Sequence, residues 1–183
     1  MPPLKIALHT HSTLSDGRLK PAEVAARYAE LGFAVVAFTD HDYLQRPDWR
    51  SLLPPSTDSL LILPGVELTI HERGYVHVNR IEGERETLHV FNHPAEYDLP
   101  FDDLCRVLDA VAHKFPIDAV EISSKGFYTP VWNDERIAYP KVAADDSHTA
   151  AGCGRAWIEL DCPREPDEII RAIRAGKAIP RFA

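Results

Sequence analysis

Leu4-Lys5-Ile6-Ala7-Leu8-His9-Thr10-His11, followed at once by Ser15-Asp16-Gly17, decides the reading of this chain. Leu4–Leu8 makes a short apolar strand, and alternation along a strand sends residues two apart to the same face. His9 and His11 therefore point together at the strand's C-terminal end, where α/β folds with parallel strands keep their chemistry. Two imidazoles aimed into one pocket suit a metal ion. A second apolar run, Ala34–Phe38, is continuous, as in a strand buried on both faces, and it ends in Thr39-Asp40-His41-Asp42.

Between these runs Pro21 suits the first turn of a helix over Ala22–Leu31, with Val24, Ala25, Tyr28 and Leu31 at helical spacing and Gly32 closing it. Residues 43–58 read as a loop with one helical turn. Leu60–Leu63 is a buried strand running into Pro64-Gly65-Val66-Glu67-Leu68. Tyr75–Ile81 and Thr87–Phe91 are strands joined by the charged turn Glu82–Glu86. Phe101–His113 is helical. Ala119–Ile122, Lys141–Ala144 and Ala156–Leu160 are strands, the second ending in Asp145-Asp146-Ser147-His148. Pro166 opens a last helix, Asp167–Ala175, closed by Gly176, and residues 123–139 show no regular pattern. The alternation predicts one α/β domain over residues 1–183, barrel-like.

Composition narrows the function. The 183 residues are 45% hydrophobic, and the formal charge of −8 argues against an extended nucleic-acid surface. No apolar run approaches the ~18–20 residues of a membrane span. The N-terminus enters a strand directly, with no secretory signal, so the cytoplasm is the expected compartment. Cys105, Cys153 and Cys162 cannot all pair and show no Cys-x-x-Cys spacing, so they read as reduced thiols.

The His, Asp and Glu residues at or just past strand ends are His9, His11, Asp16, His41, Glu67, His77, His93, Asp146 and His148. Imidazole with carboxylate is the ligand mix of Zn, Mn and Fe sites, and nine groups suit two or three ions with Glu67 bridging. Asp40 and Asp42 read as residues that orient His41. His71, His89 and His113 read as ordinary strand or helix-end histidines, although His71 and His89 compete with His77 for its place.

The ordered set His9-Thr-His11, Ser15-Asp16-Gly17, Thr39-Asp40-His41-Asp42, Pro64-Gly65-Val66-Glu67, Asn92-His93-Pro94 and Asp146-Ser147-His148 resembles the PHP (polymerase and histidinol phosphatase) family, from Leu4 to about Ile179. The resemblance implies a distorted (β/α)7-type barrel with a trinuclear metal site at the C-terminal ends of its strands. It assigns His9, His11, Glu67 and Asp146 to a first metal, Glu67, His77 and His93 to a second, and Asp16, His41 and His148 to a third. Several small family members carry a long helical insertion before the Asp-Ser-His motif. Here only about fifty residues separate His93 from Asp146, which suggests a more open site.

The chemistry expected of such a site is hydrolysis of a phosphate ester by a hydroxide held between metals. The substrate would be an anionic phosphorylated small molecule or a short nucleotide. His41 or Asp40 is the candidate donor to the leaving group. Arg155 and then Arg18 are the candidate phosphate contacts, with Lys125 third. Trp132 and Phe127 either flank the pocket or pack in the core. The alternatives are an amidohydrolase-like C–N hydrolase, which the bridging Glu67 in place of a modified lysine disfavours, and a non-catalytic metal-stabilised binding module.

Overall fold

The computed structural model describes residues 2–183. Its strands are β1 (Leu4–Ala7), β2 (Val35–Phe38), β3 (Leu61–His71), β4 (Tyr75–Glu82), β5 (Thr87–Phe91), β6 (Ala119–Glu121), β7 (Ser123–Ser124), β8 (Phe127–Tyr128), β9 (Lys141–Val142), β10 (Ala156–Leu160) and β11 (Ile179–Phe182). The α-helices are α1 (Pro21–Glu30), α2 (Phe101–Ala112) and α3 (Pro166–Arg174), with single 3-10 turns at Trp49–Leu52, Pro94–Tyr97 and Pro130–Trp132.

Nine strands form one mixed sheet in the order β11-β10-β1-β2-β3-β4-β5-β6-β9, while β7 and β8 make a separate hairpin. The sheet curls nearly into a barrel. β1, β2 and β3 run parallel, as do β5, β6 and β9. β4 returns antiparallel between the two groups, and β10 and β11 add antiparallel strands beyond β1. The architecture is thus the distorted α/β barrel expected, with few helices.

Alternation explains how the barrel is filled. Ile6, Leu8, Val35, Ala37, Leu63, Leu88 and Val90 turn inward to one cluster, and α3 closes its lower end with Ile169, Ile170 and Ile173. The opposite faces bury Ala7, Val36 and Phe38 under Val24, Ala25 and Tyr28 of α1. Val78, Phe91 and Val120 lie under Leu104, Val107, Leu108 and Val111 of α2. Trp132 belongs to this last cluster and stacks on Phe101 at 5.3 Å, so of its two readings the core one is observed.

The helix ends follow their sequence signals. Pro21 sits in the first turn of α1, where the Lys20 N–H donates to the Glu23 carboxylate at 2.7 Å. α3 carries Asp167 and Glu168 in its first turn and Arg171 and Arg174 in its last, the arrangement its dipole favours. No helix among the described residues is long and apolar enough to cross a membrane. The three cysteines are free, Cys153 buried.

Candidate metal centre

The segments leaving β1 and β2 carry His9, His11 and His41, β4 carries His77, and the segments leaving β5 and β9 carry His93 and His148. Past Ala7 the chain is pinned from both sides. The Thr10 N–H donates to Thr39 Oγ1 (3.0 Å), the Thr10 hydroxyl donates to the Ala37 carbonyl (2.8 Å), and Thr10 pairs with Ser147. With Thr10 held, His9 and His11 converge until their Nε2 atoms are 3.1 Å apart. Gly17 makes the next turn possible, because a Cβ there would lie 2.6 Å from the His11 carbonyl.

Glu67 in β3 is the centre of the arrangement. It is 1% exposed, and five imidazoles crowd its two oxygens. Oε1 lies 3.2 Å from His9 Nε2, 3.2 Å from His77 Nδ1 and 3.1 Å from His93 Nε2. Oε2 lies 3.3 Å from His11 Nε2 and 3.0 Å from His41 Nδ1. The Asn92 amide also donates to Oε1 at 2.8 Å. Asp146 Oδ1 approaches His11 Nε2 at 3.1 Å and His9 Nε2 at 3.4 Å. Asp16, the most exposed member, faces His11 at 3.4 Å, His148 at 3.3 Å and His41 at 3.7 Å.

The structure therefore brings all nine proposed ligands together, and His77 and His93 both lie against Glu67 Oε1. The sets whose donor atoms lie within reach of one another are His11, Asp16, His41 and His148; His9, His11 and Glu67; His9, His93 and Asp146; and His41, Glu67 and His77. His77 thus groups with His41, and His93 with Asp146. His77 faces Glu67, whereas His71 lies against Tyr75, His89 is 3.8 Å from Asp118, and His113 contacts the Asp109 carbonyl.

The donor set fits divalent cations. The Nδ1 atoms of His41 and His77 are buried and close to Glu67, yet neither is directed at it as a hydrogen bond requires. Electrostatics points the same way. Burial opposes charge on His9 and His11, but Glu67, Asp146 and Asp16 outweigh it and hold both imidazoles well above their usual range. Burial likewise opposes charge on Glu67 and Asp146, and the surrounding imidazoles overcome it and hold both carboxyls low. The pocket calls for positive charge, which protons or metal ions can supply.

Other proposed residues lie elsewhere. Asp40 accepts from the Ser12 N–H (2.8 Å), the Ser12 hydroxyl (2.9 Å) and the Ser15 hydroxyl (2.7 Å), so its carboxylate is committed to the turn that carries Asp16. His41 turns Nδ1 toward Glu67 (3.0 Å) and Nε2 toward Asp16 (3.7 Å). Arg18 is exposed and lines neither cavity of the site; its backbone N–H donates to the His148 carbonyl. Arg155 and Lys125 do line them.

Glu121 was not among the residues read from the sequence. It is fully buried, accepts from Ser123 Oγ at 2.7 Å and from the His93 N–H at 3.2 Å, and lies 3.2 Å from His9 Nδ1. A carboxylate there selects the tautomer protonated at Nδ1 and turns the Nε2 lone pair of His9 toward the cluster. Its signal was an acid inside the apolar run Ala119-Val120-Glu121-Ile122. Tyr28 also went unread: its hydroxyl meets both oxygens of Asp145 and Ser147 Oγ, at 2.8–2.9 Å, under the loop that holds Asp146 and His148. Burial pushes the Asp145 carboxyl up to about 7.

Comparisons with known proteins agree with this geometry. The sequence profile described as PHP domain matches residues 7–113, and that described as PHP-associated matches residues 135–178. The 5'-3' exoribonuclease Rnm of Salmonella typhimurium is 37% identical over 73 residues, covering 39% of this chain and 25% of that protein. The chain spans about a quarter to a third of the length of the curated relatives it matches. A two-domain Bacteroides vulgatus protein, described as containing a predicted PHP-like metal-dependent phosphoesterase, superposes with a TM-score of 0.66 at 16% identity, over 98% of this chain and 64% of that one. An amidohydrolase from Chromobacterium violaceum superposes at 0.65 and 17% identity, over 95% and 97% of the two chains. At these identities the structural likeness concerns the fold.

Proposed function

The chain belongs to the PHP domain family, and on that premise we propose that it is a metal-dependent hydrolase that cleaves a phosphate ester. The observation that carries the reading is the crowding of five imidazoles, from His9, His11, His41, His77 and His93, on the buried carboxylate of Glu67. Such a carboxylate, with imidazoles able to give up their protons around it, would help to hold divalent ions.

The nine side chains would hold two or three divalent ions, Zn, Mn or Fe, with Glu67 common to more than one and Asp146 closing the deep part of the site. Asp16 and His148 form its outer wall, since both are far more exposed than His9 and His11. Bound there, the ions supply an activated water near neutral pH and neutralise charge on the phosphoryl oxygens.

The protein's own groups do the rest. Glu121 and Asn92 hold His9 and Glu67 in register. Asp40, by bonding Ser12 and Ser15, fixes the turn that presents Asp16. Lys125 lines the cavity of about 150 Å³ above the cluster, together with His77, His93 and His148, and offers a phosphate oxygen a cation there. His93 and Asp146 adopt left-handed backbone angles, φ 27° and 46°, a strain that is found where structure over-determines a functional position.

The test is elemental analysis of the purified protein, followed by assays on p-nitrophenyl phosphate and bis(p-nitrophenyl) phosphate with added Mn²⁺. Two or three transition-metal ions per chain with turnover is the expected result. Metal without turnover on either ester would favour the binding-module reading. Turnover of amide or imide substrates in place of esters would favour C–N hydrolysis.

A further inference from the structure

β4 and β5 pair in antiparallel register from Glu82 opposite Thr87 to Val78 opposite Phe91. One step further the Asn92 N–H donates to the His77 carbonyl at 3.0 Å. An antiparallel rung of this kind exchanges two hydrogen bonds, so the His77 N–H is due to return the bond to the Asn92 carbonyl. Instead the His77 N–H donates to the Tyr97 hydroxyl at 2.8 Å, and that hydroxyl donates to the Asn92 carbonyl at 3.0 Å. A phenolic oxygen, able to accept and donate at once, is inserted into the last rung of the ladder.

The insertion falls between two members of the cluster. His77 Nδ1 and His93 Nε2 lie 3.2 and 3.1 Å from the same oxygen of Glu67, with ring centres 5.3 Å apart and planes at 85°. A continued strand would not place them so. Opposed residues share a face, so His77 and Asn92 both turn to Glu67, and the Asn92 amide bonds it at 2.8 Å. Alternation would then send His93 to the face of Phe91, under α2. His93 takes φ 27° and returns to the face of Asn92.

The peptide joining Asn92 to His93 is held from both sides for this turn. Its carbonyl accepts from the Tyr97 hydroxyl, and its N–H donates to Glu121 Oε2 at 3.2 Å. Tyr97 ends the 3-10 turn Pro94–Tyr97, so the segment that carries His93 also delivers the hydroxyl. The tyrosine ring packs edge-on against Phe91 at 5.8 Å and lies 5.6 Å from the His93 ring.

We propose that the Tyr97 hydroxyl is a positioning group for the metal centre. It keeps the Asn92–His93 peptide one oxygen away from β4, and so presents His77 and His93 to Glu67 as two separate ligands. The inference rests on the metal-dependent reading of the site. His93 lies within reach of His9 and Asp146, and His77 within reach of His41 and Glu67, whereas the outer group of His11, Asp16, His41 and His148 contains neither. Loss of the hydroxyl therefore disturbs the inner part of the cluster and spares the outer part.

Tyr97→Phe removes the oxygen and keeps the ring. Calorimetric titration of the metal-free full chain with Zn²⁺ should show at least one ion bound roughly 10–100-fold more weakly in the variant, and at least one bound as before. Identical affinities for every ion, or uniform weakening of all of them, overturns the proposal. So does a shifted urea midpoint with unchanged Zn²⁺ binding, which would make the hydroxyl part of the scaffold alone. Crystal structures of the two metal-free proteins supply the second readout. The wild type should keep the hydroxyl between the His77 N–H and the Asn92 carbonyl. In the variant these two groups should pair directly, and His93 Nε2 should leave hydrogen-bond reach of Glu67 Oε1. A direct bond between His77 and Asn92 in the wild type, or an unmoved His93 ring in the variant, overturns the proposal. If the wild type binds no Zn²⁺, the metal-dependent reading falls instead, and the two crystal structures alone decide the role of Tyr97.

Discussion

The two ends of the barrel are made from the same strands and use charge in opposite ways. At the N-terminal ends of β5 and β6, Glu86 and Asp118 are each held by a guanidinium. Arg174 bonds Asp118 at 2.9 Å and also Glu86, Arg171 bonds Glu86 at 3.2 Å, and the His89 N–H donates to Asp118 at 2.8 Å. At the C-terminal ends, Glu67 and Asp146 are buried among imidazoles with no Arg or Lys in contact. Ion pairs complete in themselves seal the lower end. The upper end, on the proposed reading, is a set of ligands whose charge balance a bound cation would complete. Where a cation is permanent, the site has no vacancy for chemistry.

The sharpest way to break this contrast is to remove the paired histidines. His9→Ala combined with His11→Ala should abolish phosphoester turnover and lower the metal content measured by elemental analysis, with the far-ultraviolet circular dichroism retained. Unchanged metal content would mean that the upper end is sealed like the lower.

Next in size is the buried carboxylate behind the cluster. Glu121→Ala should weaken Mn²⁺ or Zn²⁺ binding by roughly 10–100-fold, the usual cost of losing a group that orients a ligating histidine. Glu121→Gln should recover part of it, because an amide oxygen can still accept from His9 Nδ1. Nitrogen NMR of the histidine rings would show the loss of the Nδ1-protonated form of His9 in the alanine variant.

The contrast also has a pH signature. His9 and His11 are raised by their carboxylate neighbours against the opposing effect of burial, and Asp145 is raised by burial to about 7. Groups whose folded pKa is raised contribute stability at low pH that is lost as pH rises through the folded value. Glu67 and Asp146 are lowered, so their contribution is present above the ordinary carboxylate range and lost on acidification. The metal-free protein should therefore be most stable in mildly acidic solution, and its Tm should fall as pH passes about 7. His41, lowered by burial, runs the other way. Added metal should reverse the alkaline decline, since imidazoles bind ions only when neutral. A metal-free Tm that rises steadily from pH 5 to 8 would contradict this.

The smallest effect belongs to the lower end. Arg174→Ala should cost about 1 kcal/mol in the urea midpoint, the net worth of partly exposed charged hydrogen bonds, and leave metal content unaltered.

The upper end was the more legible of the two in the sequence, for a physical reason. His9, His11 and His41 each follow an apolar strand, and polar residues placed where strands stop interrupt a pattern that is easy to read. Glu121 sits inside a strand with no histidine or glycine beside it, so only an acid in an apolar run marks it. The β7–β8 hairpin was missed because two-residue strands carry no period, although Lys125-Gly126 is turn chemistry. β11 was missed because Pro180 interrupts it; as an edge strand paired only to β10, it tolerates the proline. Arg155 was noticed as a cation after the Asp-Ser-His motif, but only the shape of the two cavities separates it from the cluster.

The position of β1 in the sheet has a consequence for how the molecule is made. β1 is made before both of its neighbours, β2 and β10, and Thr10 pairs with Ser147, more than a hundred residues later. One flank of β1 therefore stays open until most of the polypeptide has been produced, and His11 cannot meet Asp146 before that flank is covered. Closing so long a loop is slow and entropically costly. On the proposed reading, metal uptake would await that closure, and a bound ion would report that β1 and the Ser147 segment have met.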